Sequence, residues 1–128
     1  MGKKVLNILE TGYRATVEEQ DDTILWLSSM FKGAGLDVTL LLRANAVNYA
    51  VRGQDASGLR FGELEVAHPP EIDRDVEALL EKGVAVHYVS DDAVQRGIAD
   101  SELVEGVKPI SKRDLPGLLD QFDQVWHW

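Results

Sequence analysis

The chain contains no cysteine, so disulfides, thiolate metal sites, iron–sulfur ligation and a thiol nucleophile are all excluded. It is also poor in positive charge, with 13 Lys and Arg against 22 Asp and Glu and a formal net charge of −9. So negative a surface repels phosphate backbones and anionic lipid headgroups. Apart from the pairs Lys3–Lys4 and Lys112–Arg113 we find no basic patch. Nucleic acid is therefore not an expected partner.

Long apolar runs are lacking too. No run approaches the roughly 18 residues that span a bilayer, so no membrane association is expected. Asn7 and Glu10 cut the first apolar stretch too short for a signal-peptide core. We expect a cytoplasmic protein, and its 128 residues predict one domain over 1–128.

Short apolar segments alternate with amphipathic ones along the chain. Strands are predicted at residues 3–9, 36–42, 84–89, 107–110 and 124–128. Helices are predicted at 16–32 from a capping-box spacing, at 44–51, 71–82 and 91–96, and after a cap at Ser111 or Asp114. Residues 52–70 are predicted to be mostly loop, with one extended piece at 64–67. The strands are too apolar to be half exposed, which favours an α/β fold: a three-layer α/β/α sandwich around a mostly parallel sheet of about five strands.

Open parallel sheets bind ligands at the carboxyl ends of their strands. Polar residues follow the predicted strands at these points, together with Ser111 and Lys112 after the fourth strand. The candidate ligand-binding residues are Thr11, Gly12, Tyr13, Arg14, Asn45, Ser90, Asp91, Asp92 and Arg96. We predict a small polar ligand here, but no catalytic residue, cofactor or metal, because no nucleophile elbow, dinucleotide fingerprint, phosphate loop or histidine ligand spacing is present.

Two features of the sequence allow two interpretations each. Ser90, Asp91 and Asp92 open a helix, so they either cap it and complement its dipole or form a polar or metal-binding pair that could serve an enzyme as acid/base. Trp126 and Trp128 alternate on the last strand and should share one face. They belong either to the core or to an interface, where large aromatic side chains are enriched.

Several phrases of the sequence resemble the DsrE/DsrF-like family of sulfur-relay proteins, which includes the Tus subunits. They are KKVLNIL, GLDVTLLLRANAV, LLEKGVAVHYVSDDAVQRGI and LVEGVKPIS. The resemblance covers nearly the whole chain except about residues 52–70, and it implies a DsrE-like fold.

The same resemblance has consequences for function. Active members look like sulfurtransferases with a persulfide cysteine, which aligns at about Val89 and Asp92. Neither side chain can hold sulfur. The resemblance therefore implies a non-catalytic member, in an assembly or small-ligand role, that forms a trimer or hexamer or joins a related hetero-oligomer. The alternative is an enzyme that uses Asp91 or Asp92 as acid/base or metal ligand.

Overall fold

The computed structural model describes residues 3–13 and 22–128. Its strands are β1 (Lys4–Leu9), β2 (Asp37–Leu42), β3 (Arg60–Phe61), β4 (Leu64–Glu65), β5 (Ala85–Val89), β6 (Lys108–Ile110) and β7 (Gln124–His127). Its helices are α1 (Thr23–Gly33), α2 (Ile72–Glu81), α3 (Ser90–Gln95) and α4 (Leu115–Leu119), with 3-10 helices at Ala44–Ala50, Asp100–Glu102 and Lys112–Asp114.

Five strands form one sheet in the order β6-β5-β2-β1-β7, and each neighbouring pair is parallel. The predicted parallel sheet of about five strands is therefore confirmed. All carboxyl ends lie along one edge of the sheet, and this edge carries most of the predicted ligand-binding residues.

Each face of the sheet carries its own apolar core, because side chains alternate along a strand. On one face, α1, α2 and the Ala44–Ala50 helix cover a core that includes Leu9, Leu40 and Val86. On the other face, Leu118 of the short helix α4 packs with Leu6, Ile8, Leu41 and Val89. Helices on both faces make the predicted three-layer sandwich, but the second helical layer is small.

Helix α1 begins at Thr23 because the Asp22 carboxylate accepts hydrogen bonds from the backbone amides of Ile24 and Leu25, at 2.8 and 3.1 Å. The single continuous helix predicted over 16–32 is therefore wrong at Asp22, whose backbone is extended. The capping-box residues Thr16 and Glu19 lie outside the described residues.

Three smaller predictions need correction or refinement. The helix predicted at 44–51 is a 3-10 helix, and the loop predicted at 52–70 contains the hairpin β3–β4, whose turn uses Gly62 at φ 64°. Ser111 does not cap the last helix, because its hydroxyl hydrogen-bonds to the Asp114 carboxylate at 3.1 Å instead of a backbone amide. Asp114 makes no capping bond either. Within the described ranges, no helix is long and apolar enough to cross a membrane.

Candidate functional site

Ionisable side chains from neighbouring strands meet at the carboxyl edge of the sheet. Glu10 follows strand β1, and its carboxylate lies 3.4 Å from Nε of Arg43 after β2 and 3.4 Å from Nε2 of His127 on β7. These three residues are not among the predicted ligand-binding residues. Their positions at strand ends could have indicated them, but none of the three belongs to a sequence motif.

Asp92 is the buried centre of this edge, with 5% of its surface exposed. One carboxylate oxygen accepts from the Ala44 amide at 2.7 Å, and the other lies 3.2 Å from the Lys112 ammonium. Burial alone would raise the pKa of Asp92, but the Ala44 hydrogen bond and the charges of Lys112 and Arg96 outweigh it and lower that pKa. Asp92 is therefore a carboxylate that joins the ends of β2, β5 and β6.

The side chains of Ser90 and Asp91 also bond to neighbouring strands. The Asp91 carboxylate accepts from the Lys112 amide at 2.9 Å, and the Ser90 hydroxyl donates to the Ile110 carbonyl at 3.3 Å. The N-cap of α3 is Val89, whose side chain makes no capping hydrogen bond. The prediction that one of these residues caps the helix is therefore wrong, because helix α3 starts directly at the strand end and their side chains bond across to the next strand. Asp91 and Asp92 do lie in its first turn, as predicted for the dipole.

Asn45 and Arg96 form a pair beside Asp92. The Arg96 guanidinium donates twice to the Asn45 side-chain oxygen, at 3.1 and 3.0 Å, and once to the Asp92 carbonyl at 3.1 Å. Ala44 precedes this pair at φ 50°, a left-handed conformation that points its amide at Asp92. The structure thus brings together Asn45, Asp91, Asp92 and Arg96 with Lys112. Most of their polar groups, however, are already hydrogen-bonded or ion-paired with one another or with the nearby backbone.

The loop after β1 divides between two surroundings. Gly12 lies so close to the next strand end that an added Cβ would stand 3.3 Å from the Asn45 carbonyl oxygen. The Thr11 amide contacts the Trp128 carbonyl at 3.5 Å. Tyr13 instead packs edge-on against Tyr49, with ring centroids 4.8 Å apart, and burial followed by the nearby Asp73 charge raises its pKa to about 12. Arg14 lies outside the described residues.

The two terminal tryptophans lie on the α1 face of the sheet, as their alternation predicts. The Trp126 ring packs against Phe31 at 5.3 Å, and the Trp128 indole donates to the Asn7 side-chain oxygen at 3.2 Å. Trp128 is 39% exposed. Together with Leu27 they line a shallow groove of about 460 Å³.

Among residues 3–13 and 22–128, no group of three or more His, Asp or Glu side chains could hold a metal ion. Chemically, this edge offers ion pairs and charge-assisted hydrogen bonds. Most of them already join one strand end to the next.

Comparison with known proteins gives matches at the level of structure. No protein-family model matches the chain, and no curated protein matches its sequence. The crystal structure of the YchN protein of E. coli is similar, with 22% identity, a TM-score of 0.71 and all of both chains covered.

Two proteins of unknown function give similar matches. BT1422 of Bacteroides thetaiotaomicron has 15% identity and a TM-score of 0.66, with 98% of this chain and 95% of that chain covered. MTH1491 of Methanobacterium thermoautotrophicum has 19% identity and a TM-score of 0.60, with 98% and 99% covered. These likenesses confirm the predicted fold: the chain has a DsrE-like α/β fold along its whole length.

Proposed function

We propose that this chain is a non-catalytic protein of the DsrE-like fold that works through assembly. The observation that carries the proposal is that Asp92 is buried and that both of its carboxylate oxygens have partners. The family resemblance implies a persulfide cysteine at about this position, whereas here a carboxylate accepts from the Ala44 amide and pairs with Lys112. A buried carboxylate cannot carry sulfane sulfur, and its bonds give the position a structural role.

A direct chemical assay tests the missing activity. The purified protein is incubated with a persulfide donor, separated from it, and assayed for bound sulfane sulfur by cyanolysis. We expect none above background, since the chain contains no cysteine. Stoichiometric uptake, followed by transfer to an acceptor thiol, would contradict the proposal.

Assembly requires a surface, and we propose the exposed side of α1 together with the edge strand β7. Trp26 and Met30 are four residues apart on α1, so they share a helix face, and they are 52% and 53% exposed. The groove beside Trp126 and Trp128 adjoins Leu27 and Phe31 of the same helix. We call this set of residues the α1–β7 surface. Large apolar and aromatic side chains grouped in this way are typical of protein interfaces.

A second copy of the chain is the partner we propose for this surface, in a trimer or hexamer. The support is that β7 pairs with β1 on one side only and is the last strand of the sheet among the described residues. The apolar surface therefore continues to an edge strand. We place such an assembly in the cytoplasm, because that compartment is reducing and its proteins rarely contain disulfides, as in this chain without cysteine.

Light scattering coupled to size-exclusion chromatography tests the surface. The wild type should elute as a trimer or hexamer, and Met30→Lys should dissociate it. Val94→Lys is the matched control, because Val94 is 76% exposed on α3, away from this surface. A monomeric wild type would overturn the proposal. Equal behaviour of the two variants would show that a different surface is used.

A further inference from the structure

The described residues cover only part of the sheet face beneath α4. Helix α4 has five residues, and its Leu118 packs over the apolar residues Leu6, Ile8 and Leu41. Beside it lies a groove of about 680 Å³ whose lining includes the first residues of β1, β2 and β6. We call it the α4 groove. It is distinct from the strand-end cluster around Asp92 and from the α1–β7 surface.

Polar side chains interrupt the apolar face at the floor of this groove. Thr39 and His87 lie on the same sheet face as Leu41, since Leu41 is the register partner of His87 and two residues from Thr39. Thr39 is 9% exposed and His87 is half-buried. In the part of the chain that the structure describes, the His87 ring has no hydrogen-bond or ion-pair partner. A floor with a hydroxyl and a free imidazole suits a polar ligand better than the apolar side chains of a protein interface.

Positive charge collects around the same groove. Lys4, Lys108 and Arg113 line it with two carboxylates, Asp37 and Asp114, while the whole chain has 13 cationic and 22 acidic residues. None of the three cations makes an ion pair within 4 Å among the described residues. The local excess of cations thus reverses the charge balance of the chain. It also leaves their charges available to an anion.

The positions of these groups suggest what the anion carries. Lys108 is the cross-strand neighbour of His87, so its ammonium and the imidazole can reach one group. Burial, followed by the Lys108 charge, lowers the pKa of His87, which leaves the ring neutral and able to donate or accept. Arg113 supplies a planar fork that matches phosphate or carboxylate oxygens. The Asp37 carboxylate, at the start of β2, can accept hydrogen bonds from hydroxyl groups.

We propose that the α4 groove binds a small organic phosphate that carries hydroxyl groups. Lys108, Arg113 and Lys4 would hold the phosphate, while Thr39, His87 and Asp37 would bond to its remaining oxygens and hydroxyls. The volume of about 680 Å³ lies within the range of about 300–1,000 Å³ that is typical of small-molecule sites. This site goes beyond the proposed assembly function and does not depend on it.

Proton NMR of the histidine ring signals tests the proposal directly. The chain has three histidines, of which His68 and His127 lie outside the groove and serve as internal controls. The wild-type protein is titrated with ribose 5-phosphate, inorganic phosphate and ribose. We expect ribose 5-phosphate to shift the His87 signal saturably and to raise its pKa, because a bound dianion stabilises the imidazolium. Inorganic phosphate should bind more weakly, and ribose should cause no shift.

Matched variants complete the test. Lys108→Gln combined with Arg113→Gln should weaken the binding of ribose 5-phosphate by about tenfold or more, since it removes two charge-assisted contacts. Arg60→Gln on the exposed hairpin β3–β4 removes one charge outside the groove and should leave affinity unchanged. No His87 shift at millimolar ribose 5-phosphate, or equal shifts at all three histidines, would overturn the proposal. So would equal affinity for inorganic phosphate, since the groove would then recognise an ion alone.

Discussion

Asp92 is a buried carboxylate whose two oxygens both have partners from other parts of the sheet edge. Its two oxygens reach the Ala44 amide and the Lys112 ammonium, so a single carboxylate connects three strand ends. Asp92→Asn keeps the size but removes the charge. We expect it to reduce the free energy of unfolding by about 2 kcal/mol, which is typical of a lost hydrogen bond to a charged group. Urea denaturation measures this.

The neighbouring carboxylate supplies the control for that measurement. Asp91 is exposed, and among the described residues its carboxylate accepts only from the Lys112 amide, so Asp91→Asn should cost less than about 1 kcal/mol. If Asp92→Asn instead stabilises the protein, its charge is maintained at a cost to stability, which would favour the enzyme alternative. The lowered pKa of Asp92 also makes stability depend on pH. The carboxylate contributes to the free energy of unfolding above the usual pKa of aspartate, and this contribution is lost as the pH falls through the pKa of the folded protein.

His87 gives a pH dependence of the same sign as Asp92, at higher pH. Its pKa is lowered by burial and then by Lys108, so the unfolded chain binds a proton before the folded protein does. Its contribution to stability is therefore complete above about pH 6.5 and is lost as the pH falls toward the folded pKa. The groups that share the α4 groove with it are Lys4, Asp37, Lys108, Arg113 and Asp114.

Removing the Lys108 charge isolates its effect on His87. We expect Lys108→Gln to raise the pKa of His87 part of the way to its usual value, because burial remains. Titration of the His87 ring signals by NMR measures this change, with Lys3→Gln as the control for net charge. An unchanged His87 pKa would mean that Lys108 extends away from the imidazole in solution.

At the scale of elements, α1 is held at its start by a connected set of polar groups. Asp22 accepts from the amides of Ile24 and Leu25 with one oxygen and from the Tyr49 hydroxyl with the other, at 2.6 Å. Asp22 is 4% exposed, so the loss of its carboxylate leaves buried donors without a partner. We expect Asp22→Ala to cost about 2–3 kcal/mol in thermal or urea unfolding.

Two further variants separate the parts of that cost. Asp22→Asn keeps an oxygen for the helix amides and loses the charged partner of Tyr49, so it should cost less than Asp22→Ala. Tyr49→Phe removes the hydroxyl and should make the Asn and Asp proteins nearly equal in stability. If Asp22→Ala changes stability by only a few tenths of a kcal/mol, the cap is not what fixes the start of α1.

At the scale of the whole molecule, the strands and their parallel order were predictable because buried parallel strands are almost wholly apolar, as in DVTLLL. The strand-end positions of Asn45, Asp91 and Asp92 followed from the same pattern. Their bonding did not, because the Ala44 amide, 48 residues from Asp92, reaches it only through the left-handed turn at Ala44. The α4 groove was not predicted either, since its residues come from four separate segments and carry no common motif.

The two proposals predict opposite dependences on salt, because the whole chain carries a net charge of −9 whereas the α4 groove carries a local excess of cations. Copies of the chain repel one another, and salt screens this repulsion as the Debye length falls from about 30 Å at 0.01 M to about 8 Å at 0.15 M. Association through the apolar α1–β7 surface should therefore strengthen over this range, measured by light scattering at fixed protein concentration. Binding of ribose 5-phosphate in the α4 groove should weaken over the same range, because its cations attract the phosphate electrostatically. If the affinity for ribose 5-phosphate instead rises with salt, attraction to the cations of the α4 groove does not hold the phosphate, and the proposed binding mode is wrong.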